Sequence, residues 1–422
     1  MREIVSNPNE RLYTGVPGTI TGLLLLFYRG IVFPLLPILA ASASGRIALA
    51  PPSRLKTGLR AVGHIVERRR HPQRFIQVDK APWDEIYRDG IMAVRHYSLP
   101  PGDSIPLNND RVAVERKRHR IPLLLIPALG IHCWTYDLMP NRSMVLYLMA
   151  RGYDVYLVDW GKPSQDERGL DLDTYVNRWL PAAVEAVRTH SEAEQVNLMG
   201  YCMGGLLSLM YLGGHPDNPV RSLITIASPV NFHKSGPFGK AMGLAAIPAM
   251  KIHDWFKVRL EPLDDKLFHI PAGLLAFGFK MTNPPGVVQA YMDLIRNLAD
   301  REYVSEYMTM GQWFNEMVDY PGAVVREVIE KMILANSLAR GRIRIGGQSV
   351  DFASIKQDLL AFAGTTDGIV SLRAAREIMK LVGSQDKRFE EVPGGHAGVF
   401  SGSKAPSHAW RISADWLSTR SD

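Results

Sequence analysis

The sequence predicts an α/β fold with a mostly parallel central sheet, and three observations carry that expectation. Short runs that are apolar throughout recur at "IPLLLIP" (121–127), "YDVYLVDW" (153–160), "QVNLMG" (195–200) and "SLITIAS" (222–228). Stretches long enough for helices lie between them, among them 174–190 and 203–213. The rhythm lapses from about 232 to 345 and returns in "DLLAFAGTTD" (358–367) and "RFEEVPGGH" (388–396). Runs that stay apolar instead of alternating mark strands buried on both faces, as a parallel sheet between helical layers requires.

At the N-terminus, "ITGLLLLFYRGIVFPLLPILAASA" (20–43) is apolar apart from Arg29. A spanning helix needs about 20 uninterrupted apolar residues, and Arg29, Pro34 and Pro37 interrupt this one. A cleaved signal would carry its apolar region earlier, although "ASA" at 41–43 imitates a cleavage site. The segment reads as a helix that meets a membrane or lipid surface or packs on the rest of the chain, and the sequence leaves both open. "APPS" (50–53) separates it from an amphipathic helix, so 1–72 forms an apolar and helical extension.

From 73 to 119 the runs "RFIQVD", "IMAVRHYSL" and "RVAVERK" alternate between "PPGD" and "PLNND" turns and predict antiparallel edge strands. They open the first part of the core, 73–231. The interval 232–345 is rich in Met, aromatic residues and Pro, with helical patches at 287–308 and 324–341. It reads as a helical cap inserted into the core, although Met and aromatic residues at helical spacing are equally at home in an ordinary core. The second part of the core, 346–422, ends in an amphipathic helix over 405–418.

A composition of 46% hydrophobic and 22% charged residues excludes a disordered chain. The two cysteines, Cys133 and Cys202, make neither a disulfide framework nor a metal cluster, which points to a reducing, cytoplasmic setting with no metal. The formal charge of +7 raises the question of anionic partners. Its densest runs, "ERRRH" (67–71) and "ERKRHR" (115–120), lack interleaved aromatics or a nucleic-acid motif. They read as solvated faces, so no nucleic-acid partner is expected.

The chemistry concentrates at "GYCMGG" (200–205), where an apolar run meets a helix through one cysteine between glycines. This is the outline of a nucleophile elbow with Cys202 where serine usually stands. Gly200, Gly204 and Gly205 keep the turn clear of side chains. The Met203 N–H at the helix start would form half of an oxyanion hole, and the helix dipole there favours a thiolate. The other half would come from "ALGIHCWTYD" (128–137), through Gly130 or Ile131, between which the sequence does not choose. His132 and Cys133 in that loop read as packing residues. A buried cysteine in a Gly-rich turn would look the same when taken alone. Asp367 and His396, however, follow the two later strands at their C-terminal ends, where sites form in open α/β sheets. Asp367 alone would pass for a helix cap and His396 for a turn residue. The order nucleophile, acid, histidine is that of the α/β-hydrolase fold. The expectation is that fold, with a helical cap and a Cys202–His396–Asp367 triad.

With these residues in view, the chain resembles the polyhydroxyalkanoate synthase family from roughly 121 to 402. "GYCMGG" is similar to the family's lipase-like box, and "RGYDVYLVDWGKPSQDERGLDLDTYV" (151–176) to its stretch around Asp-Trp-Gly. "ASPVNF" (227–232), "NSLARGRIRIGGQSVDFASIK" (336–356) and "VPGGHAGVFSGSKA" (392–405) follow in matching order. The resemblance implies that Cys202 carries the acyl group, Asp367 is the acid and His396 the base. It implies an acyltransferase that polymerises 3-hydroxyacyl coenzyme A, with the thioester as substrate, a growing polyester or another acyl acceptor, and no cofactor. It further implies a homodimer or a partner subunit, and a cytoplasmic protein at the surface of polymer granules or the inner membrane face. Two departures stand out: Gly368 occupies the position after the acid where the family usually has histidine, and the N-terminal part is short and apolar.

The thiol has a chemical reason. Serine attacking a thioester makes an oxygen ester, downhill, whereas cysteine makes another thioester of nearly equal free energy, so the acyl group stays activated for transfer to an alcohol. The alternative function on the same triad is an α/β hydrolase: a thioesterase, esterase or polyester depolymerase. A surface-associated protein that kept the fold without chemistry is the third reading, against which the intact triad speaks.

Overall fold

The computed structural model describes residues 52–235 and 263–422. The apolar segment 20–43, most of the expected extension and the first part of the expected cap lie outside the described residues.

The strands follow one another as β1 (Trp83–Asp89), β2 (Met92–Tyr97), β3 (Ser104–Leu107), β4 (Asp110–Ala113), β5 (Leu123–Ile126), β6 (Val155–Asp159), β7 (Val196–Tyr201), β8 (Val220–Ile226), β9 (Arg342–Ile345), β10 (Gln348–Asp351), β11 (Asp358–Gly364) and β12 (Lys387–Val392). Eight of them form one sheet in the order β1-β2-β6-β5-β7-β8-β11-β12. β1 and β2 pair antiparallel, as do β2 and β6. Every pairing from β6 to β12 is parallel. Strands β5 and β7 are buried at every residue, which is why they carry no polar alternation. Edge strand β12 is only partly buried until Val392, and its Lys387, Arg388, Glu390 and Glu391 discourage pairing with another chain.

The helices are α1 (Pro52–Arg70), α2 (Met144–Ala150), α3 (Leu180–Ser191), α4 (Met203–Gly214), α5 (Ala272–Lys280), α6 (Pro284–Arg296), α7 (Arg301–Asn315), α8 (Gly322–Glu327), α9 (Leu372–Arg376), α10 (Ile378–Leu381), α11 (His396–Ser401) and α12 (Arg411–Leu417). All twelve residues of α4 are buried, because this helix springs from the sheet centre and is covered along its length. Side chains fix several starts: Ser143 accepts from Leu146 N–H before α2, and Asp300 from Glu302 and Tyr303 N–H before α7. Among the described residues no helix is long and apolar enough to cross a membrane.

Two expectations fail at the edge of the fold. "RFIQVD" is not a strand. Phe75 is completely buried with Leu294, Leu298 and Val304, and its carbonyl accepts from the Ser305 hydroxyl at 2.6 Å. The Gln77 N–H bonds the Thr309 hydroxyl at 3.1 Å. The backbone bonds that a strand would give to a neighbour go instead to hydroxyls of α7. The outer strand is "WDEIYRD", mostly exposed and bulged between Glu85 and Tyr87, so its side chains show no apolar period. "RVAVERK" supplies only β4, which pairs with β3 as a separate hairpin. The β9–β10 hairpin spans residue 345, where the sequence reading divides cap from core, and it packs on Gly213 and Gly214 at the end of α4.

Candidate active site

Cys202 sits between β7 and α4 with φ 50° and ψ −114°, a conformation that costs a non-glycine residue roughly 1–3 kcal/mol and persists only where its surroundings enforce it. They do so here. The Cys202 N–H is tied to the Ile226 carbonyl at the end of β8, 2.8 Å away. The start of α4 is pressed against β5, so a Cβ on Gly204 would stand 2.1 Å from the Ile126 carbonyl oxygen. A Cβ on Gly200 would lie 2.5 Å from Gly205 Cα. Only glycine admits that approach, and the turn lifts the Cys202 side chain to the C-terminal edge of the sheet.

Asp367 and His396 reach the same edge from β11 and β12. His396 Nδ1 lies 2.8 Å from Asp367 Oδ2. The other carboxylate oxygen accepts the Ile369 and Val370 N–H groups, each at 2.8 Å, so loop geometry orients the acid. The Asp367 side chain is entirely buried and that of His396 nearly so. Cys202 lies near enough for its charge to act on the imidazole. Burial alone would lower the affinity of His396 for a proton. The negative charge of Cys202 and the hydrogen bond to Asp367 outweigh it and push the imidazole up to about 10. The structure thus brings together the three residues expected from the sequence.

Met203 opens α4, so its N–H is one of those without an intrahelical acceptor. Gly130 is left-handed at φ +82°, and its carbonyl accepts the Val318 N–H at 2.9 Å. Neither the Gly130 nor the Ile131 N–H has a backbone acceptor among the described residues. At Gly368 a Cβ would meet nothing within 4 Å, so sterics do not demand glycine there. Among the described residues no group of three or more His, Cys, Asp or Glu is placed to hold a metal ion.

The site has a roof drawn from the expected cap, 232–345, whose individual residues the sequence did not specify. On α5, Leu275 occupies the space beside Gly130 (2.6 Å from where its Cβ would be), and the Phe279 ring lies 6.4 Å from that of His396. Tyr320 packs half-buried beside Gly130; desolvation and then the Cys202 charge hold its phenol far above the usual range. The signal for α5 was only its apolar composition, which assigns no partner.

Beneath the 128–137 loop, Arg95 pairs with Asp159 at 2.6 Å and with Asp79 at 3.2 Å, and stacks 4.0 Å over the Trp83 ring. Against the cost of burial, Arg95, the Gly161 N–H and the Cys133 thiol hold Asp159 below its usual carboxylate range. Cys133 is completely enclosed, its thiol pushed up by burial first and by Asp159 second. His132 stacks on Trp134 with ring centroids 5.2 Å apart. Both pack, as the sequence reading held.

Fold and site define an α/β-hydrolase-fold protein with cysteine at the elbow. A family model described as "alpha/beta hydrolase fold" matches residues 121–264. Over 348 residues the chain is 28% identical to the poly(3-hydroxyalkanoate) polymerase subunit PhaC of Haloferax mediterranei, covering 82% of this chain and 66% of that one. It is 29% identical over 347 residues to the protein of the same name from Allochromatium vinosum, covering 82% and 90%. A Synechocystis protein of that name is 28% identical over 347 residues, covering 82% and 86%. The chain is thus similar over most of its length to curated poly(3-hydroxyalkanoate) polymerase subunits.

Proposed function

We propose that this chain polymerises 3-hydroxyacyl coenzyme A through a thioester on Cys202. The observation that carries the reading is a cysteine, not a serine, at a strained elbow and beside a buried, hydrogen-bonded His396–Asp367 pair. Cys202 attacks the thioester carbonyl as a thiolate, and the oxyanion is received by the Met203 N–H with that of Gly130 or Ile131. The tetrahedral intermediate collapses, the C–S bond to coenzyme A breaks, and His396 gives its proton to the departing thiolate. The acyl group is now on Cys202 and His396 is neutral. A second 3-hydroxyacyl unit or the chain end offers its hydroxyl, and His396 takes that proton as the oxygen attacks the Cys202 thioester. Collapse forms the ester and returns the thiolate beside a protonated His396. Asp367 holds the ring in one tautomer and supports its charge. Leu275, Phe279 and Tyr320 keep bulk water from the thioester, which favours transfer over hydrolysis. The relatives are named as polymerase subunits, so a partner subunit, a homodimer and a place at the polymer surface belong to this reading.

The test incubates purified protein with 3-hydroxybutyryl and longer 3-hydroxyacyl coenzyme A, following thiol release and the fate of the acyl group, with Cys202→Ala as control. Thiol release with polymer or transferred ester, lost in the variant, supports the reading. Thiol release with free acid only makes the protein a thioesterase. No release at any chain length, alone or with a candidate partner subunit, overturns both.

A further inference from the structure

Helix α1 has two faces with different fates. Its inner face, with Ala61 and Ile65, packs against the cluster of Phe75, Leu294, Leu298 and Val304. His64 Nδ1 lies 2.8 Å from the Leu298 carbonyl, and Glu67 pairs with Arg301. Both contacts advance three residues on each partner, so the end of α1 runs alongside the turn from α6 into α7 in the same direction. The outer face carries Leu59, Val62 and Val66 in one stripe at helical spacing, 65%, 50% and 42% exposed. Water-facing Val287 and Val288 on α6 (49% and 64% exposed) add apolar surface to the neighbouring helix.

The charge around that stripe is one-sided. Over its length α1 holds six cations, Arg54, Lys56, Arg60, Arg68, Arg69 and Arg70, against the single anion Glu67. Lys56, Arg60, Arg69 and Arg70 are exposed, and among the described residues none pairs with their side chains. Stability alone accounts for the inner face but for neither the exposed apolar stripe nor the cations beside it, which no described residue pairs. A surface that answers both at once is apolar beneath and anionic on top. An amphipathic helix lying in such an interface buries its apolar stripe below the headgroups while flanking Lys and Arg side chains reach up to phosphates. A second protein copy offers no such match: its own α1 would bring like charges together.

We propose that α1 is an interfacial helix that docks the enzyme on an anionic phospholipid surface through Leu59, Val62 and Val66, flanked by Lys56, Arg60, Arg69 and Arg70. The residues lie outside the catalytic machinery, so the inference stands apart from the polymerase reading. It places α6 and α7, and through them the roof of the site, close to the lipid.

The test sediments the full chain with vesicles of phosphatidylcholine alone and of phosphatidylcholine mixed with phosphatidylglycerol, at low and high salt, without substrate. Two variants accompany it, L59S/V62S/V66S and K56Q/R60Q/R69Q/R70Q, each checked for unchanged melting temperature and coenzyme A release. The expected result is binding to the phosphatidylglycerol vesicles that weakens with salt and falls at least tenfold in each variant. Absence of binding, or equal binding to neutral vesicles, overturns the proposal. So does unchanged binding by both variants, which would assign attachment to another segment such as 20–43. A drop in oligomeric mass of the apolar variant in analytical ultracentrifugation, without loss of vesicle binding, would assign the stripe to a second copy instead.

Discussion

His396 Nδ1 lies 2.8 Å from Asp367 Oδ2 because β11 and β12 run parallel as neighbours, with Gly364 opposite Val392. The two loops therefore leave the sheet side by side, at the edge where β7 delivers Cys202. Each residue was visible in the sequence as a loop position after a strand, and their contact is a property of the strand order.

That contact sets the first prediction. Asp367→Asn keeps the shape and the Ile369 and Val370 hydrogen bonds, but its amide competes for the wrong imidazole tautomer. Coenzyme A release should fall by roughly 10²–10⁴-fold with the fold intact by circular dichroism. A loss below tenfold would remove Asp367 from the site.

His396 makes stability depend on pH. Its folded value, about 10, stands above the ordinary 6.5. The stabilisation from its proton is therefore complete below about pH 6.5 and is lost as pH rises toward 10. Cys202→Ala removes the largest favourable cause, so the melting temperature of the variant should decline less steeply across that window. Parallel curves for the two proteins would contradict the assignment.

The two thiols should react differently. Cys133 is fully buried with its thiol pushed up, whereas Cys202 is partly exposed. Iodoacetamide should add one label to the native protein, on Cys202, and two after unfolding, as read by mass spectrometry. Native labelling of Cys133 would mean that the 128–137 loop opens.

Two glycines should respond in opposite ways. Gly204→Ala forces a methyl group onto the Ile126 carbonyl and should cost about 3 kcal/mol or more, read as loss of soluble protein or a large fall in melting temperature. Gly368→His restores the residue usual in the family at a position with open space. It should change stability by no more than about 0.5 kcal/mol by denaturant titration.

Arg95 should matter to the loop that carries Gly130 and Ile131. Arg95→Met leaves Asp159 and Asp79 without their cation and should destabilise by about 2–3 kcal/mol, toward the low end for a pair that solvent still reaches. Denaturant unfolding measures it, and a neutral result would make the cluster a surface feature.

The sequence by itself determined the strands β5 to β8 and β11, because strands buried on both faces must be apolar throughout and cannot hide, and it placed β12 by the strand-and-loop pattern before His396. It also singled out Cys202, Asp367 and His396 as candidates, because an elbow needs glycines within a residue or two of its nucleophile, and the acid and base follow strand ends. Local pattern misled at "RFIQVD", where Phe75 and Gln77 spend their backbone bonds on Ser305 and Thr309, more than 200 residues away. It said nothing of "WDEIYRD", whose exposed faces need no apolar period. Only the tertiary structure decided that Leu275, Phe279 and Tyr320 roof the site, that Arg95 underpins the 128–137 loop, and that α1 packs its Ala61 and Ile65 face on Leu294 and Leu298. Those relations join segments far apart in the chain, and a long-range contact leaves no periodic trace in either partner.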